Sequence, residues 1–186
     1  MHINLFGAVG GIMFSLKINN GMIGFKDIKV EHLPEILKWY NKIDDYKFAT
    51  GIDTPISIET LRRKYAEVAI CSSEFFAGIY ICRDNKMIGI IKGSLKYKDN
   101  DAVWISSIAI DKDLQNMGYG TLAVSMLLYY LKESCKLNSA YLAVIEDNLQ
   151  GKGFWDKNNF KEVRKIESHF KLQDRKQNVI IMCRNI

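Results

Sequence analysis

The sequence predicts an α/β (α+β) fold built on one mixed sheet of about six or seven strands. Residues 104–145 carry most of this prediction: a β-branched strand, a glycine-containing turn, an apolar helix and a second strand follow one another. A strand, a crossover helix and a further strand in one layer imply parallel pairing with a right-handed crossover. The strand Trp104–Ile110 is also expected to pair antiparallel with the strand before it. Both kinds of pairing in one sheet make the sheet mixed.

In the first half of the chain, elements follow from periodicity and turn residues. Loose alternation predicts a strand over 23–30, and an acidic, proline-containing start predicts a helix over 31–41. We expect a polar loop over 42–56, because Gly51 and Pro55 interrupt it, and then a helix over 57–68 with Ser57 as its N-cap. Two strands over 75–83 and 86–96 flank Asp84-Asn85, a compact turn of residues that tolerate positive φ.

The second half is expected to alternate strand and helix. A charged turn over 97–101 precedes the strand 104–110, and the apolar stripe of the helix 121–134 predicts that Leu122, Met126, Tyr129 and Tyr130 face the sheet. A short apolar strand follows over 139–145, and then a helix over 149–158 that ends at Asn159. The last strands are predicted over 160–170 and 178–183, joined by a charged turn around Asp174.

Length and composition indicate one domain. The chain has 186 residues, of which 48% are hydrophobic and 25% charged, with a net charge of +5, values typical of a globular protein with one core. We assign the domain to residues 22–186 and treat residues 1–21 as an N-terminal extension of uncertain role. The apolar stretch 3–16 is too short to cross a bilayer. It favours an extra N-terminal segment or strand over a signal peptide, because only His2 precedes it and no cleavage site is clear. A natural start at Met22 is left open.

Charge and cysteine usage exclude several classes. The mild positive charge would attract a polyanionic ligand, but no basic run with interleaved aromatics indicates nucleic acid. The four cysteines lie far apart without Cys-x-x-Cys spacing, and the three histidines do not pair. We therefore expect no metal, no membrane association and a reducing, cytoplasmic location. Neither a P-loop nor a dinucleotide Gly-x-Gly-x-x-Gly motif is present, which disfavours a kinase or nucleotidase.

The turn between the central strand and its helix reads Gln115-Asn116-Met117-Gly118-Tyr119-Gly120-Thr121. A helix N-terminus carries backbone N–H groups without intrahelical partners, which makes it a seat for an anion such as a pyrophosphate. The lack of a Cβ at Gly118 and Gly120 would let a phosphate approach the backbone.

This turn resembles the acyl-CoA-binding signature Arg/Gln-x-x-Gly-x-Gly/Ala of the GNAT acyltransferase superfamily, through Gln115, Gly118 and Gly120. The resemblance implies a three-layer GNAT-type fold with helices on both faces of the sheet, and acetyl-CoA as co-substrate. A second family pattern, an Asn followed by Ala-x-x-Leu-Tyr-x-x-x-Gly-Phe, is matched by Asn148, Gly151, Phe154-Trp155 and Asn159-Phe160. Asn159 replaces a glycine and accepts the left-handed conformation.

Trp155 is the larger departure from the family. The family's tyrosine at this position often protonates the departing thiolate, and an indole N–H cannot act as a general acid. We hypothesise that Trp155 packs beside the thioester. Ser106 and Ser107 alternate along the strand, so one of them should face the acyl cleft. The family's glutamate base has no counterpart on this strand; Glu74, Asp99 and Asp101 are candidates by neighbourhood only.

The resemblance also implies a set of binding residues. The backbone N–H near Ile108 is the family's usual oxyanion donor, and Asn148 would bond the pantetheine arm. The first two helices and their loop would wall the acceptor site, with Tyr46, Phe48 and Thr50 as substrate contacts or as core cover. The full set for acetyl-CoA is Ile108, Ala109, Ile110, Gln115, Asn116, Met117, Gly118, Tyr119, Gly120, Thr121 and Asn148.

The function expected is an N-acetyltransferase that moves an acetyl group from acetyl-CoA to a primary amine of a small molecule or a protein. Attack would be direct, because no Cys/His or Ser/His/Asp arrangement is apparent. The alternative is a GNAT-fold protein that binds acyl-CoA without turnover, as a sensor or structural subunit. The acceptor is open, although Asp44, Asp45, Asp53 and Glu59 would favour a cation. The oligomeric state, a homodimer included, is open too.

Overall fold

A seven-stranded mixed sheet forms the centre of the domain. The computed structural model describes residues 13–97, 101–172 and 175–186. Within these ranges the sheet order is β1-β2-β3-β4-β5-β7-β6, and β4 and β5 are its parallel pair. The strands are β1 (Ile23–Asp27), β2 (Glu74–Ile81), β3 (Met87–Lys96), β4 (Ala102–Ile110), β5 (Ser139–Ile145), β6 (Lys161–Leu172) and β7 (Arg175–Asn185). The predicted mixed sheet and the parallel pairing across the crossover helix are confirmed.

Five helices of the described chain cover the two faces of this sheet. They are α1 (Leu33–Tyr40), α2 (Ile43–Thr50), α3 (Ile58–Ala69), α4 (Tyr119–Cys135) and α5 (Leu149–Lys157). Residues of α1 to α3 pack with Phe76 and Ile90 in one buried cluster. Residues of α4 and α5 pack with Ile79 and Ile91 in another. Because successive strand residues point to opposite faces, these clusters lie on opposite sides of the sheet, and the three-layer α/β GNAT fold is confirmed.

The segment 13–21 packs on the domain. Leu16 is fully buried in the core, and its backbone N–H donates to Asp27 Oδ1 at 2.7 Å. The backbone N–H of Met13 donates to the carbonyl of Ala69, and that of Phe14 to the carbonyl of Glu74. This part of the predicted extension therefore adds to the core beside β1. The rest of the apolar stretch, 3–12, lies outside the described residues.

Several local predictions are confirmed and two are wrong. Ser57 caps α3 by accepting the N–H of Thr60, and β5 has the predicted bounds. The loop expected over 42–56 instead contains α2, a helix whose N-cap, Lys42, makes no side-chain hydrogen bond. On α4 the sheet-facing stripe is wrong at Tyr129, which is 71% exposed, whereas Leu122, Met126 and Tyr130 are partly buried against the core as predicted. The residues buried there are Ala123, Val124, Leu127, Leu128 and Leu131.

Smaller differences concern element ends. β1 stops at Asp27, and a short 3-10 turn over Val30–His32 leads into α1. The last two strands are longer than expected and pair with each other. Residues 98–100 of the predicted charged turn lie outside the described chain, and so do residues 173 and 174 of the final turn.

Candidate active site

The two parallel strands part halfway along their length. β4 pairs with β5 from Ala102 to Ile105, while β4 continues along β3 to Ile110 and β5 continues along β7 to Ile145. Beyond the last shared pair, Ile105 with Leu142, the two strands have no common ladder. A cavity of about 820 Å³ opens at this place, with Ile105–Ile110 on one wall and Leu142–Val144 on the other.

A β-bulge in β4 shapes the first wall. Ser107 pairs with Lys92 and Ile105 pairs with Gly93, so Ser106 is the extra residue on β4. Both serines consequently line the cavity, and the expectation that only one of them faces it is wrong, because a bulge breaks the alternation of a strand. The Ser107 hydroxyl donates to the carbonyl of Ala49 at 2.6 Å. Ser106 is exposed to the opening.

The backbone after the bulge directs N–H groups into the gap. The N–H of Asp111 donates to the carbonyl of Ile88 on β3 at 2.8 Å. Since backbone groups of alternate residues point to opposite edges of a strand, those of Ile108 and Ile110 point away from β3, toward the gap. The carbonyl of Ile110 accepts from Gln115 Nε2 at 3.0 Å, which agrees with this direction. The backbone N–H of Ile108 is therefore directed into the gap between β4 and β5.

The glycine turn brings the N-terminus of α4 to the same cavity. Gly118 precedes the helix with φ of +86°, and a Cβ added there would meet nothing within 4 Å. In the described chain, the backbone N–H groups of Tyr119, Gly120 and Thr121 have no hydrogen-bond acceptor. Gly120 has a packing role as well, because a Cβ there would lie 3.1 Å from a ring carbon of Phe154. Three donors at the positive end of a 17-residue helix form an anion seat.

The remaining predicted residues of the turn differ in placement. Asn116 and Thr121 line the cavity, and so does Gln115, whose side chain holds Ile110. The side chains of Met117 and Tyr119 are not on its wall: Met117 is 62% exposed, and Tyr119 packs against the core. Ala109 and Ile110 line it from β4.

α5 forms the opposite rim. Asn148 caps this helix through its Oδ1, which accepts the N–H of Gly151 at 2.9 Å. Trp155 lines the cavity and is wedged edge-on between Phe154 and Phe160, with ring centroids 4.9 Å and 5.1 Å away. The indole is therefore held in one place beside the gap between the strands.

α2 closes the cavity on the face of the sheet that α1 to α3 cover. Asp44, Asp45, Tyr46 and Phe48 line it, whereas the hydroxyl of Thr50 donates to the carbonyl of Tyr46. Burial is the main cause that raises the pKa of Tyr46 to about 12. This phenol therefore stays neutral near pH 7.

The sequence reasoning missed some charged groups of the wall. Asp147 and Lys112 line the cavity, and Lys112 Nζ lies 3.1 Å from Asp45 Oδ1. Glu74 and Asp101, the base candidates in the described chain, are not on the wall; Glu74 pairs with Ser94 at the other end of the sheet. Asp99 lies outside the described residues. No strong local signal marks α2, because Tyr46 is its only buried residue.

The parted parallel strands and the glycine-led helix define an acetyltransferase-type α/β fold. The profile of the acetyltransferase (GNAT) family matches residues 34–160, well over half of the sequence. The chain therefore belongs to the GNAT acetyltransferase family. No curated protein matches it significantly.

Solved structures share this fold at low identity. A spermidine N-acetyltransferase from Vibrio cholerae in complex with CoA and spermine is 17% identical, with a TM-score of 0.77 over 89% of this chain and 96% of that one. A probable acetyltransferase is 18% identical, with a TM-score of 0.73 over 91% and 96%. A dodecameric spermidine N-acetyltransferase from Vibrio cholerae is 19% identical, with a TM-score of 0.70 over 89% and 95%.

Two features are absent from the described residues. No helix there is both long and apolar enough to traverse a bilayer. In the same residues no three His, Cys, Asp or Glu side chains are grouped so that they could hold a metal ion.

Proposed function

We propose that the protein is an N-acetyltransferase that transfers an acetyl group from acetyl-CoA to a primary amine by direct attack. The main support is that the gap between β4 and β5 and the N-terminus of α4, whose N–H groups are unpaired within the described chain, both lie at one cavity. The first offers a slot beside inward-pointing backbone donors, and the second offers a seat for a diphosphate.

The residues present fit acetyl-CoA. Its diphosphate would be held by the N–H groups of Tyr119, Gly120 and Thr121, with Gly118 setting their direction. The pantetheine arm would lie along β4, near Ala109 and Ile110, and Asn148 would bond it from the other rim. The acetyl-CoA supplies a thioester, an activated acyl group that an amine can attack without a covalent enzyme intermediate.

Direct attack agrees with the chemistry of the wall. No cysteine or histidine of the described chain lines the cavity, so it offers no Cys/His or Ser/His pair for a covalent acyl-enzyme. We assign the Ile108 N–H to the carbonyl oxygen of the acetyl group. Removing one such donor typically costs about 2.7–4 kcal/mol of transition-state stabilisation.

The cavity wall carries three carboxylates beside two lysines, and one of the lysines, Lys112, is paired with Asp45. Asp44 and Asp45 on α2 and Asp147 after β5 line the cavity, and ionised carboxylates attract an alkylammonium. That ammonium, with a pKa around 10, must lose a proton before it attacks. A carboxylate reached through water would accept it. We therefore expect a cationic amine, and polyamines are the first class to test.

The roles of Ser106, Ser107 and Trp155 are assigned separately. Ser106, at the bulge and open to the cavity, is the serine placed to contact the reacting groups, while Ser107 is engaged with α2. Trp155 would pack beside the thioester and supply no proton. A thiol pKa of about 8.5 makes the thiolate a tolerable leaving group near neutral pH, so water can protonate it.

A thiol-release assay tests the proposal. Purified protein with acetyl-CoA should release free CoA with at least one member of a panel of polyamines, aminoglycosides, amino acids and peptide N-termini. Calorimetry with CoA and acetyl-CoA should show binding without any amine. Absence of binding heat would refute the assignment of the seat, whatever the fold.

Two observations favour a second candidate, a protein that binds acyl-CoA without turnover. Trp155 occupies the position where the family's tyrosine acts as an acid, and the exposed side chain of β4 at the bulge is Ser106 rather than a carboxylate. Such a protein would be protected by acetyl-CoA against thermal unfolding. It would release no thiol with any amine of the panel.

We also propose a cytoplasmic location, supported by four cysteines that are all free. The oligomeric state, a homodimer included, is left open, and light scattering of the purified chain would measure it.

A further inference from the structure

α2 is a short helix with a single buried side chain. It has eight residues, Tyr46 is its only buried one, and its N-cap residue makes no side-chain hydrogen bond. A helix of this length has little stability of its own in water. Its position over the cavity therefore depends on what Tyr46 and its neighbours contact.

Two hydrogen bonds tie α2 to the strand that forms the acyl slot and to the turn that follows it. The phenol oxygen of Tyr46, a side chain that is 2% exposed, accepts the backbone N–H of Lys112 at 2.8 Å. The Ser107 hydroxyl donates to the carbonyl of Ala49 at 2.6 Å. The ion pair between Lys112 Nζ and Asp45 is half-exposed, and such pairs contribute little.

The turn that Tyr46 contacts is held independently of α2. The N–H of Asp111 donates to Ile88 on β3, and the N–H of Leu114 donates back to the carbonyl of Asp111. The side chain of Asp111 also accepts the N–H of Asp113 at 3.1 Å. Loss of the Tyr46 bond should consequently release α2 and leave the approach to Gly118 in place.

We propose that Tyr46 and Ser107 are positioning residues that fix α2, and with it the acceptor wall of the cavity, against β4. This inference rests on the proposed function and deepens it, because it assigns binding of the amine and binding of acetyl-CoA to different parts of the structure. Tyr46 acts through the placement of Asp44, Asp45 and Phe48, which line the cavity from the same helix. Its own oxygen already accepts the Lys112 N–H, and the ring is buried.

Steady-state kinetics of Tyr46→Phe test the proposal. We expect the KM for the acceptor amine to rise about tenfold, equivalent to about 1.4 kcal/mol, the size expected for one lost hydrogen bond. The calorimetric Kd for CoA should stay within about twofold. Tyr65→Phe is the matched control, because its hydroxyl donates to the carbonyl of Ile28 and it is not on the cavity wall. An unchanged acceptor KM, a loss in kcat alone, or an equal weakening of CoA binding would overturn the proposal.

Hydrogen exchange tests the same idea without activity. Amides of α2 should exchange about tenfold faster in Tyr46→Phe and in Ser107→Ala than in the wild type, while those of α5 keep their rates. Tyr65→Phe should leave α2 unchanged. Equal exchange of α2 in all variants would refute the positioning role. A wild type that binds no CoA would refute the proposed function alone, since the exchange result does not depend on it.

Discussion

The conformation of Gly118 gives the sharpest test of the anion seat. Gly118 and Gly21 both have φ of +86°, and at both positions an added Cβ meets nothing within 4 Å. The two glycines thus share the same φ and the same free space. Gly118 begins α4 at the cavity, whereas Gly21 precedes β1 and is not on the cavity wall. Gly21→Ala is therefore a matched control for Gly118→Ala.

The two substitutions should cost the same stability and differ in binding. Alanine in the left-handed region costs about 1–2 kcal/mol, so both variants should lose about that much unfolding free energy in urea titrations. If the backbone at residue 118 rotates to relieve this strain, the N–H groups of Tyr119 and Gly120 no longer point at the diphosphate site. A lost hydrogen bond to a charged group is worth about 1.5–3 kcal/mol. The Kd for CoA of Gly118→Ala should therefore rise about 10- to 100-fold.

Isothermal calorimetry with CoA, at one salt concentration, measures this difference. Gly21→Ala should bind CoA with wild-type affinity. A Kd for Gly118→Ala within twofold of the wild type would refute the seat, and equal losses in both variants would show that the effect is one of stability only.

Three further predictions concern the core, the acid position and pH. Leu16→Ala should lower the free energy of unfolding by about 2–5 kcal/mol, because Leu16 is fully buried. Met22→Ala, at an exposed position, should change this free energy by less than about 0.5 kcal/mol. Urea titration measures both. Trp155→Tyr should introduce a phenol that can act as an acid, so kcat should fall at alkaline pH as this phenol, with a pKa of about 10, loses its proton. The pH profile of kcat checks this. Glu146→Gln should lower the Tm at pH 7, since hydrogen bonds from Lys165 and Asn178 hold the pKa of Glu146 below its ordinary 4.5. A depressed carboxyl pKa stabilises the fold above the unfolded value, so this Tm difference should shrink as the pH falls below 4.5.

Each of these has a result that contradicts it. An unfolding free energy of Leu16→Ala equal to that of Met22→Ala would place the segment 13–21 outside the cooperative core. Unchanged turnover and an unchanged pH profile in Trp155→Tyr would remove that position from the chemistry. A Tm difference for Glu146→Gln that is constant from pH 7 to about pH 3, below the ordinary glutamate pKa, would mean that its charge is not the cause.

Local signals made much of the fold predictable. Ser57 accepts the N–H of Thr60 as its type and position indicate, and the uninterrupted apolar run of β5 has clear limits. The glycine turn is recognisable because its strand, its turn residues and its helix are contiguous in sequence. The sequence predicts the helix from residue 121, with both glycines in the turn before it; in the structure Gly118 is the N-cap and Gly120 already lies in the first turn of α4.

The rest depends on contacts between distant parts of the chain. α2 has weak amphipathic character and depends on a bond from Tyr46 to Lys112, 66 residues away, which no local pattern reveals. On α4, large apolar residues occur on both sides of the helix, so the periodicity fits Tyr129 as well as Leu128. The bulge at Ser106 is a mismatch between β3 and β4, and neither strand shows it alone.

The opening between β4 and β5 is a feature of the main chain. β4 stays paired with β3, and β5 stays paired with β7. The opening should therefore remain when the side chains that border it are substituted. Under the proposed function, substitutions at Asp44, Phe48 or Asp147 would change which amine is admitted without closing the slot. An acceptor preference set by side chains could then change while the main-chain slot proposed for the acyl donor stays the same.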